Sequence, residues 1–388
     1  YVGYGLNDEA IQVLEQSPDY PTVKYWLAYL NRKLSPTRSN KYLEEAIEMS
    51  PHLVFPFRLE TIPVLQWAQQ KNNSWKTNYY LGLIYWKIEQ QEKAKLAFEA
   101  CGNLPDYGIF YTSRGILFEE EGAVKEDFER AVDLSKEEWR TWYYLSTYYE
   151  KTNAFDQQLG VSERMYARFQ DNPGVGIAHA KALLNSGQYN KCLKVLAEVN
   201  VLPAEFSNSG HGIYERASIS MALDLLEKKQ YSKALDYIKK SKEWPENLGT
   251  GKPYEPDNRL QNFIQAHCEL KLGNDKLADK YYQKIIDYSR NHWDASRNKV
   301  NTYLSILAFQ REGKTKELAL AMKQWEEEQN YQRDWSLSGG TDSEEVQWVL
   351  AKYKMNEGVS NRLEEGIRED KPGSVFAVLL RAISLLTN

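Results

Sequence analysis

The chain has 388 residues, with 49 Lys plus Arg against 54 Asp plus Glu and a formal net charge of −5. That balance argues against a nucleic-acid partner, which asks for a basic stripe, and no apolar run reaches the ~18–20 residues that span a bilayer. The aromatic content, 27 Tyr, 11 Trp and 12 Phe, is the excess that needs a packing or a binding explanation.

In chain order, Asn7–Ser17 carries Ala10, Ile11 and Leu14 at helical spacing and predicts the second helix of a hairpin. Little before it can form the first helix, which predicts that the native chain continues ahead of Tyr1. Ala28, Ala46 and Pro51 mark a first full hairpin, and Pro51–Ser74 reads as an insertion. The clearest pattern follows at Trp75–Pro105, where Leu81-Gly82, Tyr85, Ala94, Phe98, Cys101 and Pro105 occur in order. Small residues at Gly82 and Ala94 let two antiparallel helices approach, while Tyr85 and Phe98 fill the space beside them. The order recurs through Ala180, Leu183, Gly187, Tyr189, Cys192 and Leu196, through Ala222, Leu225, Tyr231, Ala234 and Ile238, and through Ala266, Gly273, Ala278 and Tyr282.

Equivalent small positions fall at 146 and 180, 34 apart, and then at 222, 266, 306 and 351, at intervals of 42, 44, 40 and 45. The C-terminal half therefore has longer helices or inserted loops. Candidate insertions are Val201–Tyr214, Glu243–Asp257, Ser289–Arg297 and Asn330–Ser343, all rich in turn-forming residues. After Pro372-Gly373, Val375–Leu386 predicts an apolar helix that covers the last hairpin.

This is the tetratricopeptide pattern, a ~34-residue helical hairpin that stacks because one unit cannot bury its own apolar face. The predicted fold is all-α, a right-handed superhelical solenoid of eight or nine hairpins. It divides into N-terminal repeats with an insertion (1–74), regular repeats (75–200), longer repeats (201–372) and a capping helix (373–388). Three stretches carry a narrower resemblance: VFPFRLETIPVLQWA at Val54–Ala68, WRTW at Trp139–Trp142 and EWPENLGTGKPYEPDN at Glu243–Asn258. With them, essentially the whole chain resembles the repeat-containing half of the DUF5107-type proteins of Bacteroidota. The resemblance implies a β-rich domain ahead of the repeats and carries no catalytic residues onto these positions.

Signals for chemistry are weak. His52, His179, His211, His267 and His292 have no metal-binding spacing, and no GxSxG elbow, Walker loop or dinucleotide fingerprint is present. Gly249-Thr-Gly251-Lys252 is followed by Pro253 and lacks the strand-to-helix setting of a phosphate loop. Cys101 and Cys192 stand where the repeat wants a small residue, so all three cysteines (with Cys268) read as core. Glu119–Glu121 and Glu326–Glu328 read as solvated helix ends. The expectation is a non-enzymatic protein without cofactor or metal, its compartment left open.

The binding residues predicted by the register lie on the first helix of each hairpin, which lines the concave face. They are Tyr25, Tyr29, Tyr79, Trp86 and Tyr143, with Arg140 and Lys181 beside the stripe. Within a helix they recur every three or four residues and so share one side. Either these aromatics fill the grooves between helices, or partly exposed rings there supply flat contacts to a protein, foremost the β-rich domain of the same polypeptide. Alternatively, they would stack on carbohydrate. The equivalent C-terminal positions Ile219, Leu223, Phe263 and His267 are more apolar, which predicts a cover of inserted loops or of the missing domain.

Overall fold

The computed structural model describes residues 1–119, 124–203, 209–292, 299–335, 344–368 and 373–386. Parts of three expected insertions (204–208, 293–298 and 336–343), as well as Glu120 and Glu121, lie outside the described residues. Among the described residues there are 21 α-helices and no strand, and the chain is an all-α helical-repeat protein. It forms two compact units, Tyr1–Tyr148 and Tyr149–Asn388.

The first unit begins with α1 (Asn7–Glu15), whose Ala10 and Ile11 pack with Leu27 and Leu30 of α2 (Pro21–Asn31). Hairpins follow as α2 with α3 (Pro36–Glu48), α5 (Trp75–Lys87) with α6 (Gln91–Glu99), and α7 (Gly108–Leu117) with α8 (Lys125–Leu134). The unit ends within α9 (Trp139–Lys151). Helix starts follow local chemistry. Pro21 and Pro36 sit in the first turn of their helices, where a missing N–H costs nothing. At α5, the Ser74 side chain accepts the Lys76 N–H. The expected insertion Pro51–Ser74 is largely helical: α4 (Ile62–Lys71) packs against both α2 and α5 through Val64, Leu65 and Ala68.

Gly82 shows why the repeat needs a small residue. A Cβ there would stand 2.6 Å from the Phe98 ring, so α5 and α6 meet at a distance only glycine permits. The same device recurs at Gly115 against Phe128, where the added carbon would come within 2.9 Å.

The second unit runs through α10 (Phe155–Arg168), α11 (Pro173–Asn185), α12 (Tyr189–Glu198), α13 (Ser209–Glu227), α14 (Tyr231–Lys240), α15 (Arg259–Lys271) and α16 (Asp275–His292). It continues through α17 (Thr302–Arg311), α18 (Thr315–Trp335), α19 (Glu344–Tyr353), α20 (Glu357–Arg368) and α21 (Val375–Leu386). Ala180, Ala222, Ala266 and Ala351 are buried in the first helix of their hairpins, as the register requires, while the equivalent position of α17 is filled by Ile306, buried but not small. The wider spacing is met mostly by helix length. α13 has 19 residues, α16 has 18 and α18 has 21, each running into a stretch expected to be loop.

The connector Glu243–Asp257 is irregular, as expected. Its turn at Glu246–Leu248 is fastened to the end of α12, because Asn247 Nδ2 donates to the Leu196 and Val199 carbonyls at 2.8 and 2.7 Å. Gly249 then adopts φ 68°, where a Cβ would also lie 2.8 Å from the Val201 carbonyl oxygen.

The last helix departs from expectation. Instead of only covering the last hairpin, α21 packs along α13 and α15 as well as α20. Phe376, Val378, Leu379, Leu380 and Ala382 are buried in one core with Ile219, Leu223 and Phe263. Arg381 donates to Asp224 at 2.6 Å and to Glu227 at 2.8 Å, on a helix more than 150 residues earlier. The apolar face of α21 needs cover, and the first helices α13 and α15 provide it.

Candidate binding faces

The predicted aromatic stripe divides into core and surface. Tyr25 of α2 is 0% exposed: its hydroxyl meets Thr77 Oγ1 at 2.8 Å and its ring lies edge-on to Tyr80 at 6.1 Å. Burial pushes its phenol up to about 12. Tyr79 of α5 is 1% exposed, with the rings of Phe98, Phe110 and Tyr107 at 5.6, 5.5 and 6.4 Å. Both rings were expected to be partly exposed. Stacking turns them instead into the seam with a neighbouring helix, where they are inter-repeat core and leave no face for a partner.

The other predicted residues reach the surface. Tyr29 is half-buried, with the Arg32 guanidinium 3.6 Å from its ring centre. Trp67 of α4 and Trp26 stand edge-on to Tyr29 at 5.7 and 6.3 Å. Trp86, also half-buried, leans edge-on against Phe98 at 6.3 Å. In α9, Tyr143 is 38% exposed, with Trp139 and Tyr144 edge-on at 6.1 and 5.7 Å. Arg140 extends over Trp139 at 4.8 Å and pairs with Glu138 at 2.9 Å.

Two sets emerge, Tyr29–Arg32–Trp26–Trp67 and Trp139–Arg140–Tyr143, each a cation laid on aromatic surface. Trp67 was missed because it lies in the insertion, outside the repeat register. Lys181 belongs to the second unit, where its ammonium is held by Glu150 at 2.7 Å.

In the second unit, Ile219, Leu223 and Phe263 are buried under α21. The cover expected from loops or a missing domain is supplied at these residues by the chain's own helix. Around it runs a buried polar network. Arg259 grips Asp257 at 2.9 and 2.8 Å and donates to Ser305, which also receives the Ser289 hydroxyl at 2.7 Å. Burial alone would raise the Asp257 carboxyl, but the Arg259 guanidinium and Asn301 hold it below its ordinary value. Glu215 accepts from Gln261 at 2.6 Å. Burial pushes its carboxyl up to about 7, against the opposing pull of Gln261 and Arg216. Lys242 is likewise pushed down to about 8 by burial and then by Lys284, and its ammonium rests on the amide oxygens of Asn262 and Gln265.

Cys101, Cys192 and Cys268 are free and buried, and burial raises each thiol to about 12. Thiols so protonated are poor nucleophiles. Among the described residues no group of three or more His, Cys, Asp or Glu is placed to hold a metal ion, and no helix is long and apolar enough to cross a membrane.

No family model matches the chain, and no curated protein matches it. Solved structures similar to it include YrrB, a TPR protein with an unusual peptide-binding site, at 16% identity over 46% of this chain and 90% of that one, TM-score 0.36. Pseudomonas aeruginosa pilF is 11% identical over 63% of this chain and 99% of that one, TM-score 0.34. Yeast Tom70 is 14% identical over 91% of this chain and 68% of that one, TM-score 0.36.

Proposed function

We propose that the chain is a non-enzymatic protein-interaction scaffold. Its contact surface is formed in the first unit by Tyr29, Trp86, Tyr143 and Arg140, with Trp26, Trp67 and Trp139 beside them. Tyr25 and Tyr79 serve this surface as buried support. The partner is a protein, foremost a β-rich domain of the same polypeptide, in keeping with the resemblance to DUF5107-type proteins. The observation that carries the reading is the half-exposed state of rings braced edge-on by other rings, with Arg32 and Arg140 laid across them. Rigid aromatic anchors with an arginine nearby are the groups that carry most binding energy at interfaces. Burial of Ile219, Leu223 and Phe263 beneath α21 favours the first unit over the second as the place for a partner.

The test uses the separately expressed β-rich domain as ligand. Tyr29→Ala with Trp86→Ala should weaken binding by ~2 kcal/mol or more, with the circular dichroism near wild type. Glu92→Ala, on an exposed position of α6, should change little. Unchanged affinity in the double variant removes the proposed surface. Binding of an oligosaccharide panel in place of the domain would transfer the same rings to carbohydrate recognition.

A further inference from the structure

Between α3 and α4, residues 53–59 hold four large apolar side chains in solvent. Leu53, Phe55, Phe57 and Leu59 are 63, 59, 61 and 56% exposed, while Val54 among them is buried in the core of the first unit. The start of the stretch is fixed. Leu53 takes φ 58°, a region few side chains adopt, and the Tyr20 hydroxyl donates to its carbonyl at 2.9 Å. No turn interrupts the backbone from Val54 to Arg58, which is extended at φ −86° and ψ 130°. Phe55, standing before Pro56, is restricted to extended conformations as well. The backbone N–H and C=O groups of Phe55 and Phe57 make no hydrogen bond with any described residue.

In an extended chain, residues 55 and 57 put their side chains on one face and their backbone polar groups along one edge. Pro56, with no N–H to offer, belongs to the opposite edge. The order Leu-x-Phe-Pro-Phe-x-Leu reads the same in both directions. A second copy, antiparallel and turned about Pro56, therefore sets Phe55 opposite Phe57 and Leu53 opposite Leu59, each pair occurring twice. It also brings His52 opposite Glu60. Each Phe55–Phe57 pair can exchange two N–H···O=C bonds, and Pro56 meets its own copy at the non-hydrogen-bonded position, where its missing N–H costs nothing. The stretch is thus complementary to itself in backbone and in side chains.

We propose that residues 53–59 form a self-association edge, through which two copies of this chain pair as antiparallel strands about a two-fold axis at Pro56. The four side chains offer on the order of 400 Å² of surface per copy, about half of the ~800 Å² per partner in a standard interface. The dimer is therefore weak and forms with rising concentration. The aromatic surface of Tyr29, Trp86 and Tyr143 uses none of these residues, so either site can be absent without the other.

The experiment is sedimentation equilibrium of the full chain from ~10 μM to ~1 mM. Wild type should pass from monomer to dimer within that range. Phe55→Ser with Phe57→Ser should weaken the dimer by at least ~10-fold while leaving the thermal melt unchanged, since both rings are exposed. Leu96→Ser, at an exposed apolar position of α6, should leave the dimer as it is. Register is read separately by disulfide cross-linking. Pro56→Cys lies opposite its own copy at a Cα separation of ~4.5 Å, within reach of a disulfide. It should form a covalent dimer at least ~10-fold faster than Leu96→Cys under the same mild oxidant. A wild type that stays monomeric throughout overturns the proposal. So does a dimer that survives in the double Ser variant, or cross-linking of Pro56→Cys no faster than that of Leu96→Cys.

Discussion

In the first unit the rings of the repeat register are shared between seam and surface. Tyr25 and Tyr79 are buried between helices, while Tyr29, Trp86 and Tyr143 keep an exposed edge or face. In the second unit the equivalent wall is apolar, and α21 lies against it with Phe376, Leu379 and Leu380 buried. One repeat register thus serves two ends. Where the first helices carry Tyr and Trp they can remain partly wet, because each ring has a polar tip or an edge-on neighbour. Where they carry Ile, Leu and Phe, the surface must be covered, and the chain covers it with its own last helix.

The largest test of this contrast is removal of residues 373–388. Four large buried side chains leave with α21, Phe376, Val378, Leu379 and Leu380. At ~1.5–3 kcal/mol each, the loss is on the order of 6–12 kcal/mol, enough to unfold an ordinary domain. Hydrogen exchange should report lost protection in α13, α15 and α17 while α2 to α8 stay protected. Retained protection in α13 would mean that α21 is a dispensable cap.

A smaller effect separates the units by pH. Glu215 has a folded-state pKa of about 7, above its ordinary value of 4.5. The folded state therefore holds a proton that the unfolded chain has lost between those values. The associated stability is fully present below pH 4.5 and is lost as pH rises to about 7, by about 3 kcal/mol. Glu215→Gln should flatten this slope in the second unit between pH 5 and 8. Denaturant melts that keep the wild-type slope would place the titration elsewhere.

The smallest expected effect lies in the first unit. Gly82→Ala places a carbon 2.6 Å from Phe98, so α5 and α6 must separate, at a cost of ~1–3 kcal/mol. Gly82→Leu should cost more. Tryptophan fluorescence of the first unit should show the earlier transition, with the second unit unaffected. An unchanged midpoint in both variants would show that the α5–α6 contact is looser than the packing implies.

The hairpin register was legible because small residues and their aromatic neighbours recur at helical spacing, and spacing alone places side chains on a helix face. Ala180, Ala222, Ala266 and Ala351 stand buried where that spacing put them. Val375–Leu386 was legible as a helix, since its composition and the preceding Pro372-Gly373 are local properties. Burial of Tyr25 and Tyr79 was not legible, because it depends on Thr77, Tyr80, Phe98 and Phe110 arriving from other helices. Nor was the seat of α21, fixed in part by Arg381 meeting Asp224 and Glu227 across more than 150 residues. By itself the sequence determined which residues share a helix and a face. Only tertiary structure decided which face is covered, because burial depends on neighbours whose distance along the chain no local period encodes.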